Sequence, residues 1–84
     1  MSEEEFDLVQ SPLSQTATSN GKSVDIEIYG DGKNDWILEV VDEYGNSTVW
    51  DDPFDTDRKA LDEALDTIKK EGIDVLIGPP SSMH

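Results

Sequence analysis

Apolar and polar side chains alternate in residues 23–29 and again in residues 36–42. A period of two is typical of a half-buried strand, because successive side chains of a strand point to opposite faces. In the second segment the outer face is itself half apolar, which predicts a central strand. The predicted core residues of these two strands are Val24, Ile26, Ile28, Trp36, Leu38 and Val40.

Short turns on either side of this pair predict antiparallel neighbours. Asn20-Gly21 tolerates the positive φ angles of a type I′ hairpin turn, and the weakly alternating residues 13–19 are predicted to form the strand before it. Residues 43–46 supply a second turn, after which residues 47–50 are predicted to return as a partner strand.

Pro53 ends the last of these strands, because proline cannot donate a hydrogen bond to a strand ladder. The residues after it are predicted to form an amphipathic helix. Asp55 or Thr56 is expected to cap its N-terminus, and Gly72 is placed to end it. The apolar stripe expected to pack on the sheet recurs at helical spacing and consists of Leu61, Ala64, Leu65 and Ile68.

The predicted fold class is α+β. It is a small antiparallel β-meander of three or four strands, with one amphipathic helix packed on one face and a short C-terminal strand at residues 73–77. Residues 1–12 are expected to be a disordered acidic N-terminal tail, residues 13–78 a single α+β domain, and residues 79–84 a C-terminal tail.

Charge narrows the range of partners. Twenty acidic side chains against six basic ones give a net charge of −14, most of it carried by residues 1–57. Such a charge repels nucleic acid and anionic membranes and favours basic partners. No apolar run approaches the ~20 residues of a membrane span, and the acidic start of the chain differs from the basic start of a signal peptide. We therefore expect a cytoplasmic protein that binds neither nucleic acid nor membrane.

The residue types that catalysis needs are sparse. The chain has no cysteine, and its single histidine, His84, stands at the end of the sequence. Carboxylate pairs are plentiful, but an acid–base pair needs a partly desolvated cleft, and one helix on one small sheet leaves little room for it. We therefore expect a non-enzymatic protein that uses no cofactor.

The acidic corner before the helix is the candidate metal site. Hard cations such as Ca²⁺ and Mg²⁺ take carboxylate oxygens as ligands. The same acids are also suited to cap the helix and to stabilise the positive end of its dipole, which is the role we expect. The four carboxylates of this corner are Asp51, Asp52, Asp55 and Asp57.

The outer face of the predicted sheet is the candidate partner-binding surface. It combines aromatic and aliphatic side chains with carboxylates, as a binding surface for a basic partner would. A solvated face, or a face covered by the N-terminal tail, is the other interpretation. The residues of this surface are Asp25, Glu27, Tyr29, Ile37, Glu39 and Val41.

The favoured function is a protein-interaction module that binds a basic protein partner, or a second copy of itself, through this surface. One alternative is a nucleic-acid mimic that binds a basic DNA- or RNA-binding protein. Carboxylates two residues apart on a strand, such as Asp25 and Glu27, lie ~6.6 Å apart and could imitate a run of backbone charges. The other alternative is a divalent-cation-binding protein that uses the acidic corner.

Overall fold

Five antiparallel strands and one α-helix make up the part of the chain that the computed structural model describes, residues 8–31 and 35–79. The expected α+β class, an antiparallel sheet with one helix, is confirmed. The strands are β1 (Val9–Gln10), β2 (Gln15–Ser19), β3 (Lys22–Gly30), β4 (Trp36–Asp42) and β5 (Ser47–Val49). The helix α1 spans Asp57–Glu71, and a 3₁₀ helix follows it at Ile73–Leu76.

The strands β3 and β4 form the centre of the sheet and pair from Val24↔Asp42 to Gly30↔Trp36. The other edge of β4 pairs with β5. The other edge of β3 is shared, because β2 pairs with its first half and β1 with its end. In the described sheet, β1 and β2 therefore form one edge and β5 forms the other.

β1 lies within residues 1–12, for which a disordered tail is expected. The described part of that segment, residues 8–12, contains β1 and the buried Ser11. Residues 1–7, and residues 80–84 of the expected C-terminal tail, lie outside the described part of the chain.

The turn between β2 and β3 has the backbone that its sequence predicts. Asn20 has a φ of 54° and Gly21 a φ of 77°, the left-handed values of a type I′ turn. Helix α1 begins after Thr56, whose hydroxyl accepts a hydrogen bond from the Lys59 N–H at 3.0 Å. It ends at Gly72, where φ is 92° and the N–H donates to the Ile68 carbonyl at 3.0 Å.

The helix departs from the predicted stripe at one residue, Leu65. Ala60, Leu61 and Ala64 are buried in the same core cluster as the inward side chains of β3 and β4, with Ile68 packed partly against it. Leu65 is 39% exposed, so its expected burial is wrong. The two alanines have no side chain beyond Cβ, which brings the backbone of α1 close to the sheet and turns Leu65 towards solvent.

The expected C-terminal strand is also wrong, because residues 73–76 form a 3₁₀ helix. Side chains three residues apart lie on the same side of a 3₁₀ helix. Ile73 and Leu76 therefore both enter the core, while Asp74 and Val75 are exposed. This segment closes the core beneath the end of α1 without adding a strand to the sheet.

Candidate partner-binding site

The face of the sheet that α1 leaves uncovered carries the six residues of the predicted binding surface. They alternate along β3 and β4 with the buried core residues, so the pleat of the two strands points them all to one side. Asp25 is exposed and the other five are half-buried. The cross-strand pairs on this face are Asp25↔Val41, Glu27↔Glu39 and Tyr29↔Ile37.

The central pair of this face joins two acids. Glu27 of β3 and Glu39 of β4 are direct neighbours across the ladder. Their Cα atoms pair at a spacing of ~5.5 Å, the value for residues that exchange both backbone hydrogen bonds. Like charges that lie directly opposite destabilise a sheet. We therefore expect this pair to lower the stability of the sheet.

Neutral donors hold the carboxylates of this face in place. Glu27, Glu39 and Asp25 each accept one side-chain hydrogen bond on one carboxylate oxygen. No described side chain donates to the other oxygen of these three carboxylates. Within residues 8–31 and 35–79, no lysine or arginine forms an ion pair with these acids. The donor–acceptor pairs are Gln10 Nε2 to Glu27 Oε1, Tyr29 Oη to Glu39 Oε1 at 3.0 Å, and Thr16 Oγ1 to Asp25 Oδ1 at 2.8 Å.

The ion pairs that the structure describes lie elsewhere. Two lie within α1, and a third connects α1 to a residue just before its N-terminus. The fourth connects the start of β3 to the 3₁₀ helix. Because these cations lie away from the outer face, they do not neutralise its acids. The four pairs are Arg58–Asp62, Lys59–Asp55, Lys70–Asp66 and Lys22–Asp74.

An open depression of about 610 Å³ lies on the outer face. Four residues of the predicted surface line it, while Asp25 and Ile37 lie on the same face outside its lining. Leu8 and Gln10 complete the lining; they are not among the six residues of the predicted surface, although the sequence leaves open a face covered by the N-terminal tail. The apolar Leu8-Val9 pair, which interrupts an acidic segment, is the sequence signal that could have placed this segment beside the sheet. The lining residues are Leu8, Gln10, Glu27, Tyr29, Glu39 and Val41.

The phenol of Tyr29 is held in its protonated form. Burial raises the pKa of Tyr29, and the hydrogen bond to Glu39 together with the negative charges of Glu39 and Glu27 raises it further. Tyr29 therefore acts as a hydrogen-bond donor that fixes the Glu39 carboxylate, while its ring contributes apolar surface to the depression.

The acidic corner does not gather its four carboxylates around a common point. Asp57 accepts a hydrogen bond from the Ser11 hydroxyl at 2.7 Å, and Asp55 lies 3.7 Å from the Lys59 amine. Asp51 and Asp52 are exposed. Among the described residues, no group of three or more histidine or acidic side chains is arranged to hold a metal ion.

Asp42 is a buried acid that sequence reasoning did not single out. It is 5% exposed, and it accepts four hydrogen bonds, from the backbone N–H groups of Tyr44, Asn46 and Gly78 and from the Asn46 amide. Burial acts to raise the pKa of Asp42, but these four donors outweigh it and hold the pKa below its usual value. Asp42 thus joins the β4–β5 turn to the segment that follows the 3₁₀ helix.

In comparisons with known proteins, no family model matches the chain, and no curated protein or solved structure matches it. Among the residues that the structure describes, no helix has both the length and the apolar character that crossing a membrane requires.

Proposed function

We propose that this chain is a non-enzymatic interaction module whose outer sheet face binds a basic segment of a partner protein. The observation that carries the proposal is the facing pair of Glu27 and Glu39, which lines an open depression beside apolar side chains. A cation between two carboxylates would remove the repulsion that the free protein sustains there.

Arginine is the cationic side chain that fits this surface best. Its planar guanidinium can bond carboxylate oxygens in pairs and can stack on an aromatic ring. Glu27 and Glu39 each keep one oxygen without a described donor, and Tyr29 supplies the ring beside them. Aliphatic residues next to the arginine would contact Leu8 and Val41. The preferred ligand is therefore a peptide segment that carries arginine flanked by apolar residues.

Charge disfavours a second copy of this chain as the occupant of the same face. Two copies that met face to face would bring two Glu27–Glu39 pairs together, on chains that each carry a net charge of −14. Like-charge contacts of this kind oppose association, whereas a basic partner gains both affinity and speed of association from the same field. A basic partner on this face should therefore bind less tightly as salt concentration rises.

Nuclear magnetic resonance titration tests the proposal. The probe is a synthetic peptide with two arginines separated by leucines, and the control peptide replaces both arginines with glutamine. We expect the first peptide to shift the amide signals of β3, β4 and residues 8–10, and the control peptide to leave them unchanged. Shifts confined to residues 51–57, or shifts of equal size with both peptides, would contradict the proposal.

A further inference from the structure

The edge strand β2 lies in a neutral segment of a highly acidic chain. Residues 8–21 carry no charged side chain, although the net charge of the chain is −14. β2 pairs with β3 along one edge, and no described strand pairs with its other edge. All five of its side chains are exposed or half-buried. Proteins commonly protect such an edge with charges, prolines or bulges, and β2 itself contains no charged residue and no proline.

The opposite edge of the sheet is protected. β5 is only three residues long. Asp51 and Asp52 come shortly after it, and Pro53 offers no N–H group to a strand from another chain. A strand from another chain would meet two carboxylates there, while at β2 it would meet only threonine, serine, glutamine and alanine side chains. Of the two edges, β2 is therefore the one open to a further strand.

The register of the hairpin shows which backbone groups of β2 are free. Ser19 and Lys22 flank the two-residue turn and form a hydrogen-bonded pair. Hydrogen-bonded and non-hydrogen-bonded pairs alternate along an antiparallel ladder. Ala17 and Gln15 therefore also direct their backbone groups towards β3. The N–H and C=O groups of Thr16 and Thr18 point to the open edge.

We propose that β2 pairs antiparallel with β2 of a second copy of this chain, which makes a two-fold symmetric dimer with a continuous sheet. The symmetric register places Ala17 opposite Ala17 of the second copy. Thr16 then exchanges both backbone hydrogen bonds with Thr18 of the second copy, and Thr18 does the same with Thr16 of the second copy. Threonine pairs of this kind add side-chain stabilisation on the outer face.

Charge separation makes β2 the place where two such acidic chains can meet. In the dimer, the nearest acids of the ladder are the Asp25 side chains of the two β3 strands, since Asp25 pairs with Thr16. Three inter-strand spacings, or ~14 Å, separate the two β3 strands. That distance exceeds the Debye length of ~10 Å at 0.1 M salt. At 0.01 M salt the Debye length is ~30 Å and the two chains repel each other, so dimerisation through β2 should become stronger as salt rises from this concentration towards 0.1 M.

The two-fold axis of the dimer would run perpendicular to the continuous antiparallel sheet. The outer faces of both copies would therefore lie on the same side of that sheet. Two depressions would then lie side by side on one extended acidic surface. A partner with two basic segments could engage both, which raises its apparent affinity without any new contact. The dimer itself does not depend on the function proposed above, because it uses neither Glu27 nor Glu39.

Sedimentation equilibrium over a range of protein and salt concentrations tests the dimer. We expect a monomer–dimer equilibrium for the wild type, and a monomer for Thr18→Pro, because proline removes an N–H that points to the open edge and leaves the backbone hydrogen bonds of the hairpin intact. The matched control is Val49→Pro, which changes the edge strand β5 and should still dimerise. A monomeric wild type at every concentration, or a dimeric Thr18→Pro, would overturn the proposal.

Two further variants keep the test decisive if Thr18→Pro does not fold. Thr16→Asp/Thr18→Asp places like charges opposite each other in the proposed register and should be monomeric, while Ser47→Asp/Val49→Asp adds the same charge at β5 and should dimerise. Ala17→Cys tests the register, since the wild-type chain has no cysteine. Mild oxidation should link two Ala17→Cys chains by a disulfide, and a failure to link them would refute the symmetric register.

Discussion

Glu27 of β3 and Glu39 of β4 lie directly opposite each other on the face of the sheet that α1 does not cover. Their carboxylates are held by Gln10 and Tyr29, which are neutral, and no described cation pairs with them. A neutral residue at either position would relieve the repulsion between them. Natural binding sites often contain groups that lower the stability of the free protein. For this reason the Glu27–Glu39 pair is central to the proposed function.

Glu27→Gln should stabilise the free protein. The amide keeps an oxygen for the Gln10 donor but removes the like-charge pair with Glu39. We expect the free energy of unfolding in urea to rise by about 0.2–1 kcal/mol at low salt, and the gain to shrink as salt screens the charges. Asp51→Asn, which changes the net charge equally at an exposed position, is the control. A Glu27→Gln variant no more stable than this control would show that the repulsion is negligible.

Leu61→Ala and Leu65→Ala should differ sharply, although both remove the same atoms from α1. Leu61 is 5% exposed and belongs to the core, whereas Leu65 is 39% exposed. We expect Leu61→Ala to cost about 2–5 kcal/mol of unfolding free energy and Leu65→Ala about 0.5 kcal/mol or less. Thermal melts of the pair make the comparison, and equal losses of melting temperature would contradict the orientation of the helix.

Asp42 should make the protein sensitive to acid. The folded state holds the pKa of Asp42 below the ordinary value of 3.8, so the unfolded chain takes up this proton at a higher pH than the folded chain does. The stabilisation is complete well above pH 3.8 and is lost as pH falls through the folded-state pKa. Asp42→Asn should be less stable at neutral pH and should lose less stability on acidification. Urea unfolding at a series of pH values measures both effects, and parallel curves for the two proteins would exclude this role.

Tyr29 should titrate above the ordinary tyrosine value of 10.0, because burial and the neighbouring Glu39 both disfavour the phenolate. The chain has two tyrosines, so Tyr44→Phe leaves Tyr29 as the only one to follow by phenolate absorbance. In that background, Glu39→Gln should lower the pKa of Tyr29, because it removes a negative charge while burial persists. An unchanged titration would mean that the hydrogen bond from Tyr29 to Glu39 does not form in solution.

The strands and turns with strict local requirements were predictable from the sequence. The period of two in residues 23–29 and 36–42 placed β3 and β4 and the face of each side chain, and Asn20-Gly21 determined the turn that joins β2 to β3. These features depend on local patterns alone. Because both faces of the sheet follow from the same alternation, the residues of the outer face could also be predicted.

The features that were missed depend on packing between distant segments. Leu65 falls at helical spacing from Leu61, and only the close approach of α1 to the sheet at Ala60 and Ala64 turns it towards solvent. Residues 73–77 are too short for a period of two to be distinguished from a period of three. The contact of Leu8 and Gln10 with the outer face requires β1 to pair with the end of β3, and the apolar Leu8-Val9 pair marks this segment without specifying its partner strand.

Isothermal titration calorimetry with the arginine–leucine peptide distinguishes a binding site on the outer face from attraction by net charge, because variants of equal net charge can be compared. Glu27→Gln/Glu39→Gln removes the carboxylates of the depression, and Asp51→Asn/Asp52→Asn removes two carboxylates of the acidic corner. We expect the first variant to bind the peptide at least about tenfold more weakly than wild type. The second should stay within about twofold, the small loss expected when only distant, screened charges change. Equal losses in the two variants would show that binding follows net charge alone, and would contradict a site on the outer face.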